Sequence, residues 1–263
     1  MTTYKRRKEE NVKDKLKNYF ALLVLVVAVW ELAILVFKLP SYIVPTPYSV
    51  FLKMTSSYIK ILAIGTLITV AEIVVGFLMG MAVGGCLSLF IVFSKTGDII
   101  RPLAISIKSV PKIALVPIIL FALGQGFFPK CIIVAILCFF PILVSVTSGL
   151  MDIDKDVVDY CKTIKVGEIE MLRKVSFHFA LPVIFPGLRS AFMYSVMGAL
   201  LSEFFFASNG LGHLIWTGGS YYDMEVIYAG AIILSVVSIF FYEMLMIPEK
   251  KLVHWKKADE VYI

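Results

Sequence analysis

Long apolar runs separated by short polar segments make up most of this chain of 263 residues. The runs are continuous and do not alternate apolar with polar side chains, which excludes a β-barrel. Because about 20 helical residues cross the hydrocarbon layer of a bilayer, runs of this kind predict transmembrane helices. The predicted spans cover 19–37, about 61–93, 104–124, 130–149, 181–206 and 225–247.

The first run is too long for the apolar part of a typical signal peptide, and no small-x-small cleavage site follows it. We therefore expect a retained helix and a bundle of six transmembrane helices. The predicted organisation is a basic segment, a first helix with a proline-rich loop, five core helices with a charged loop at 151–178, and a tail: 1–18, 19–60, 61–247 and 248–263.

Lys and Arg are distributed unevenly between the two sides of the predicted bundle. The segments 1–18, 94–112, 150–182 and 248–263 together carry 20 of them, whereas the other side carries 4. Lys and Arg concentrate in cytoplasmic loops, so both termini are predicted to be cytoplasmic. The net charge of +6 follows from this topology and does not indicate nucleic-acid binding.

Composition agrees with a membrane protein, because 59% of the residues are hydrophobic and 17% are charged. The four cysteines form no CxxC pair and the three histidines are scattered. Neither a metal site nor a disulfide framework is predicted.

Three glycines at a spacing of four lie on one face of the second span: Gly76, Gly80 and Gly84. Small residues at this spacing let another helix backbone approach closely. The partner is either another helix of the same subunit or a second subunit.

Ionisable residues at membrane depth are candidates for function by default. In this sequence they are Glu31, Glu72, Arg189, Glu203 and Glu243. The alternative for each is a structural hydrogen bond or ion pair. No span carries a ladder of acids and histidines, so no proton relay is indicated.

The segment 151–178 is too charged to cross a membrane. Val157, Cys161 and Ile164 share one helical face, and Ile169, Leu172 and Val175 share another. We expect two short amphipathic helices with Gly167 between them, the first capped by Asp154 or Asp156. They either lie on the membrane surface or form a docking element for a cytoplasmic protein.

The stretch 159–192, DYCKTIKVGEIEMLRKVSFHFALPVIFPGLRSAF, resembles the coupling motif of permeases from binding-protein-dependent ABC importers. That motif has an acid, two small residues, a glycine four positions later and a hydrophobic Leu-Pro segment. Asp159 stands at the acid and Leu181–Pro182 at the Leu-Pro position. The resemblance implies that a partner ATPase contacts Asp159, Tyr160, Cys161, Lys165, Val166, Gly167 and Glu168.

The chain departs from the family pattern at three positions. Tyr160 stands where alanine is usual, Lys165 at the glycine, and His178 at a common proline. Lys adopts a positive φ less easily than glycine, so Gly167 is expected to supply the turn instead. The ATPase contact is therefore expected to differ in shape from the family norm.

Further segments resemble the same family in the same order. IKSVPKIALVPIILFALG (107–124) resembles its segment between spans two and three, and SEFFFASNGLGHLIW (202–216) its outer loop. LPSYIVPTPYSV (39–50) resembles the nitrate, sulfonate and taurine branch. The resemblance implies a type I ABC importer permease fold, a bacterial inner-membrane location, and a substrate path or binding-protein contact at Glu203, Ser208, Asn209, Gly210 and Gly212.

The resemblance also implies an assembly with two cytoplasmic ATPases and an extracytoplasmic binding protein. No GxxxxGK[ST] phosphate loop occurs, so the chain is expected to bind no ATP and to catalyse no reaction; ATP and Mg²⁺ would be used by the partner ATPase. The glycine face and the lack of internal duplication favour a homodimer. The alternatives are an ion-gradient-driven transporter or channel, a membrane enzyme, and a scaffold that recruits an ATPase.

Overall fold

The computed structural model describes residues 2–56, 58–94, 111–205 and 208–253. Within these ranges the regular structure is entirely helical, which confirms the predicted all-α class. The helices are α1 (Thr2–Phe37), α2 (Pro47–Thr55), α3 (Ile59–Phe93), α4 (Leu115–Leu123), α5 (Phe127–Met151), α6 (Lys155–Thr163), α7 (Glu168–Met171), α8 (Phe177–Phe204), α9 (Leu211–Ser220) and α10 (Met224–Leu252).

Among the described residues, four helices are long and apolar enough to cross a membrane: α3, α5, α10 and the continuous helix Ile169–Phe204. Two others have shorter apolar stretches, Ala21–Phe37 and Lys112–Leu123. The first part of the predicted third span, 104–110, lies outside the described residues. The count of six spans therefore stays a prediction.

The glycine face of α3 packs against α5 of the same chain. A Cβ atom added to Gly76 would collide with Val134, and one added to Gly80 would collide with Cys138 and the carbonyl oxygen of Ala135. The sequence left open whether this glycine face packs against a helix of the same subunit or against a second subunit. The structure shows the first of these. The glycine face is thus occupied and no longer argues for a subunit seam.

Helix α8 packs against the other side of α5 through small residues. Gly187 lies so close to Ser145 that an added Cβ would overlap its side chain. Pro141 lies inside α5, one residue before the buried Ile142, and Pro182 and Pro186 lie inside α8. Helices α3, α5 and α8 therefore form the tight core of the bundle.

The end of the bundle opposite α6 is tied together by an ion pair between α2 and the start of α10. Lys53 Nζ lies 2.6 Å from Asp223 Oδ2, and Asp223 also caps α10 by accepting from the Val226 amide. Partial burial lowers the pKa of Lys53, but the hydrogen bond and charge of Asp223 outweigh it, so the pKa is raised. Helix α10 ends at Leu252, beyond the predicted end of span six at 247.

Close packing of α3 on α5 predicts the effect of one added methyl group. We expect Gly80→Ala to lower stability by about 1–3 kcal/mol, because Cys138 and the α5 backbone must move. Gly85→Ala on the same helix is the matched control, because its added methyl meets no atom within 4 Å. Thermal unfolding of both purified variants checks this, and equal midpoints would contradict the packing.

Candidate functional site

The charged segment between α5 and α8 begins with a capped helix. Asp154 accepts a hydrogen bond from the Asp156 amide at 3.0 Å, so of the two predicted caps Asp154 is the one that acts. Helix α6 then runs to Thr163, and Cys161 is buried on its inner face. The backbone carbonyl of Asp159 accepts a hydrogen bond from the Thr163 hydroxyl. Oδ1 of Asp159 lies 3.7 Å from Nζ of Lys162.

The turn after α6 is made by Lys165 itself. Its φ is 56°, a left-handed conformation, whereas the φ of Gly167 does not lie in this region. The expectation that Gly167 would supply this turn is therefore wrong. The turn is closed by hydrogen bonds from the Lys165 amide to Lys162 and from the Val166 amide to Cys161.

The second short helix is not a separate element. Helix α7 continues through a five-residue π-helix, Leu172–Ser176, directly into α8. The prediction of two independent short helices followed by a span from 181 is corrected in this respect. Gly167 is the last residue before this long helix, and the side chain of Glu168 lies outside the described part of the chain.

Three apolar side chains project from this segment: Tyr160, Ile164 and Ile169 are 67%, 55% and 77% exposed. We call them the coupling surface. Val166 is half-buried beside them. Charged residues adjoin the coupling surface: Glu170 follows Ile169 directly, and its Oε1 lies 2.6 Å from Nζ of Lys174. The hydrogen bond and charge of Lys174 lower the pKa of Glu170, and Glu170 raises the pKa of Lys174.

At the opposite end of the bundle, Glu203 holds the turn that begins α9. Its Oε1 accepts from the Thr69 hydroxyl and its Oε2 from the Gly212 amide, both at 2.6 Å. The Leu211 amide donates to the same Thr69 oxygen at 2.9 Å. Gly210 has a φ of 118° and Glu203 fills the space where its Cβ would lie. Ser208 and Asn209 are exposed at the tip, and we call residues 208–212 the outer turn.

Buried charges at membrane depth are paired across helices. Lys130 Nζ lies 2.8 Å from Glu72 Oε1, and Arg189 pairs with Glu249. The sequence identified Glu72 and Arg189 but neither partner. Lys130 was counted with the lysines of the outer side, at the first position of the predicted span 130–149, although the apolar residues on both sides of it were a signal of burial. Of the other predicted ionisable residues, Glu31 is half-buried and Glu243 is exposed.

A polar groove of about 490 Å³ lies between α5 and α8. Its hydroxyls come from Ser145, Ser148, Ser190 and Tyr194. At the edge of the groove, the ammonium group of Lys112 lies 4.5 Å from the centre of the Phe140 ring. Sequence reasoning missed this groove, because single hydroxyl residues inside apolar spans are common and give no specific signal.

No group of three His, Cys, Asp or Glu side chains within the described ranges could hold a metal ion. All four cysteines are free. The candidate functional features of the described part of the chain are the coupling surface, the outer turn with Glu203, the groove and the buried pairs.

These features define a polytopic helical membrane protein with a charged segment at one end and a polar turn at the other. The chain belongs to the family of binding-protein-dependent transport system inner membrane components, whose profile matches residues 72–252.

Individual relatives agree with this assignment. A probable ABC transporter permease of Haemophilus influenzae is 26% identical over 81% of this chain and 87% of its own length. A putative aliphatic sulfonates transport permease, SsuC of Bacillus subtilis, is 23% identical over 89% of this chain and 86% of its own length. The solved MetNI methionine ABC transporter in an inward-facing form matches with a TM-score of 0.65 at 15% identity, over 75% of this chain and 98% of that one.

The structural match shows the type I ABC importer permease fold. Together with the family assignment, this fold identifies the chain as the permease component of an ABC importer in the inner membrane. It favours this function over that of an ion-gradient-driven transporter or channel.

The left-handed turn predicts a difference between two valine variants. Lys165→Val should loosen the turn by about 1–2 kcal/mol, because a β-branched residue resists a positive φ. Lys162→Val, in ordinary helical conformation, is the matched control. The initial rate of chymotryptic cleavage at Tyr160 should rise only in Lys165→Val, and similar rates in both variants would count against the strained turn.

The Glu203 network predicts the effect of removing one hydroxyl. Thr69→Val should cost about 1–3 kcal/mol, because Glu203 loses a donor and the buried Leu211 amide loses its acceptor. Hydrogen exchange at the Leu211 and Gly212 amides should accelerate. Thr66→Val is the control, since the Thr66 hydroxyl donates to Leu62 within its own helix. Unchanged exchange in Thr69→Val would contradict the network.

Proposed function

We propose that this chain forms the translocation path for a small solute in an ATP-driven importer and that its coupling surface docks onto a cytoplasmic ATPase. The observation that carries the proposal is the exposure of Tyr160, Ile164 and Ile169 in a segment too charged to enter lipid. Exposed apolar groups among charged ones are typical of a protein contact. Asp159, Cys161, Lys165, Val166, Gly167 and Glu168 shape or flank that contact.

The outer turn is proposed as the contact for the extracytoplasmic binding protein. It lies at the end of the bundle away from the coupling surface, and Glu203 fixes its backbone from beneath. Ser208 and Asn209 at its tip offer exposed hydrogen-bonding groups. In this proposal both termini of the chain lie in the cytoplasm, which is the orientation that the Lys and Arg distribution predicts.

The polar groove is proposed as the wall of the translocation path. Several hydroxyl groups gathered along one groove, with the ammonium group of Lys112 at its edge, favour a surface that faces water or another subunit over one that faces hydrocarbon. A path formed between two subunits meets this requirement. The chain itself is non-catalytic and binds no cofactor in this proposal; ATP and Mg²⁺ act on the partner ATPase.

We propose a homodimer of permeases with two ATPases and one binding protein. Support comes from the lack of internal duplication and from the open groove, because the glycine face is already filled by α5. A purified complex with one copy of this permease per two ATPases would contradict it.

The substrate is proposed to be a small solute of the sulfonate, nitrate or taurine kind, or a vitamin precursor. Two similar proteins are named for riboflavin transport in Chloroflexus aurantiacus and formylaminopyrimidine transport in Halalkalibacterium halodurans. Uptake of each candidate by the complete transporter, with and without ATP hydrolysis, decides between them.

The docking proposal predicts that Ile169→Asp abolishes ATPase binding. A buried charge in an apolar contact costs several kcal/mol, so co-purification of the ATPase with a tagged permease should fall at least tenfold. Ile43→Asp is the matched control, because Ile43 is also exposed but lies near the opposite end. Retained ATPase and ATP-dependent uptake in Ile169→Asp would overturn the proposal.

A further inference from the structure

Three ionisable side chains meet inside the bundle, each from a different helix. Glu72 comes from α3, Lys130 from α5 and Glu203 from α8, and all three are buried. The site contains two carboxyl groups but one ammonium group. If both carboxyl groups were ionised, a net negative charge would be buried in the membrane interior without compensation, which is strongly unfavourable.

The hydrogen bonds around the two carboxyl groups leave one oxygen unsatisfied. Glu72 Oε1 accepts from Lys130, and the two oxygens of Glu203 accept from Thr69 and Gly212. Glu72 Oε2 is buried and receives no hydrogen bond from any described residue. Thr69, whose hydroxyl binds Glu203, lies one helical turn before Glu72 on the buried face of α3, so the two carboxyl groups are neighbours inside the bundle.

Two facing carboxylates are acceptors only and repel one another, whereas a protonated carboxyl group also donates one hydrogen bond. We propose that Glu72 and Glu203 hold one proton between them, with the O–H of one carboxyl group donating to an oxygen of the other. The proton satisfies Glu72 Oε2 and brings the charge of the site to zero with Lys130.

Within the described residues, the surroundings of the pair offer no other compensating charge. Among described residues, Lys130 is the charged side chain that acts on both carboxyl groups, and the remaining partners are the Thr69 hydroxyl and the Gly212 amide. Cys131 also lies near Glu72 and Lys130, but a thiol supplies no positive charge.

The shared proton is also connected to the outer turn. The carboxyl group of Glu203 that takes part in it also binds the Gly212 amide. Removal of the proton would leave two carboxylates in contact, and their repulsion would push Glu203 away from Glu72. The site thus makes the position of the outer turn dependent on one buried proton.

Infrared spectroscopy of the full chain in lipid nanodiscs tests the proposal. At neutral pH the wild type should show the carbonyl band of one protonated carboxylic acid, and ¹³C-labelled glutamate should shift it. The band should disappear in Glu72→Gln, whose amide can still accept from Lys130 and donate to Glu203. Glu243→Gln is the matched control, because Glu243 is exposed and the band should remain.

Glu203→Gln supplies a second, independent variant. It leaves Glu72 paired with Lys130, so no proton is required and the band should again disappear. Two results would overturn the proposal. The first is a wild type without a glutamic acid carbonyl band at neutral pH. The second is a band that is still present in a folded Glu72→Gln or Glu203→Gln variant.

Discussion

Hydrocarbon offers no hydrogen bonds, so every polar group inside this bundle must find its partner on another part of the chain. This constraint sets the arrangement of the helices. Arg189 and Glu249 join α8 to α10, and Lys130 and Glu72 join α5 to α3. Glu203 joins α8 to α3 through Thr69 and to the start of α9 through Gly212. The apolar surfaces alone would allow the helices to slide or rotate, whereas these pairs fix their register.

Small residues make this set of pairs possible. The contact of Gly76 and Gly80 with α5, and that of Gly187 with Ser145, bring three backbones close together. Side chains as short as those of Thr69 and Ser88 can then form hydrogen bonds between helices. In a membrane, such contacts contribute mainly through dispersion, since lipid tails are as apolar as the core.

Sequence periodicity predicted the elements better than their connections. The apolar runs located α3, α5 and α10, and the acids before α6 limited its cap to Asp154 or Asp156, of which the structure shows Asp154. Pairs such as Lys130 with Glu72 link residues 58 positions apart, and no local pattern encodes that contact. The positive φ of Lys165 was not predicted, because glycine adopts this conformation at a lower energetic cost and Gly167 lies only two residues away. The charged sequence around Glu170 also hid the continuity of α7 with α8, since polarity reports solvent exposure and not a helix end.

The unbroken helix from Ile169 to Phe204 has a mechanical consequence. It is about 50 Å long, carries part of the coupling surface at one end and Glu203 near the other, and packs tightly against α5 at Ala180, Gly187 and Gly198. A helix held at three separated points along its neighbour cannot pivot about any one of them, so α5 and α8 form one mechanical unit. A displacement applied at Ile169 is therefore carried to Glu203 together with α5. The backbone hydrogen bonding of the long helix is interrupted at the π-helix Leu172–Ser176 and at Pro182 and Pro186, so the end that carries the coupling surface is where this helix can bend.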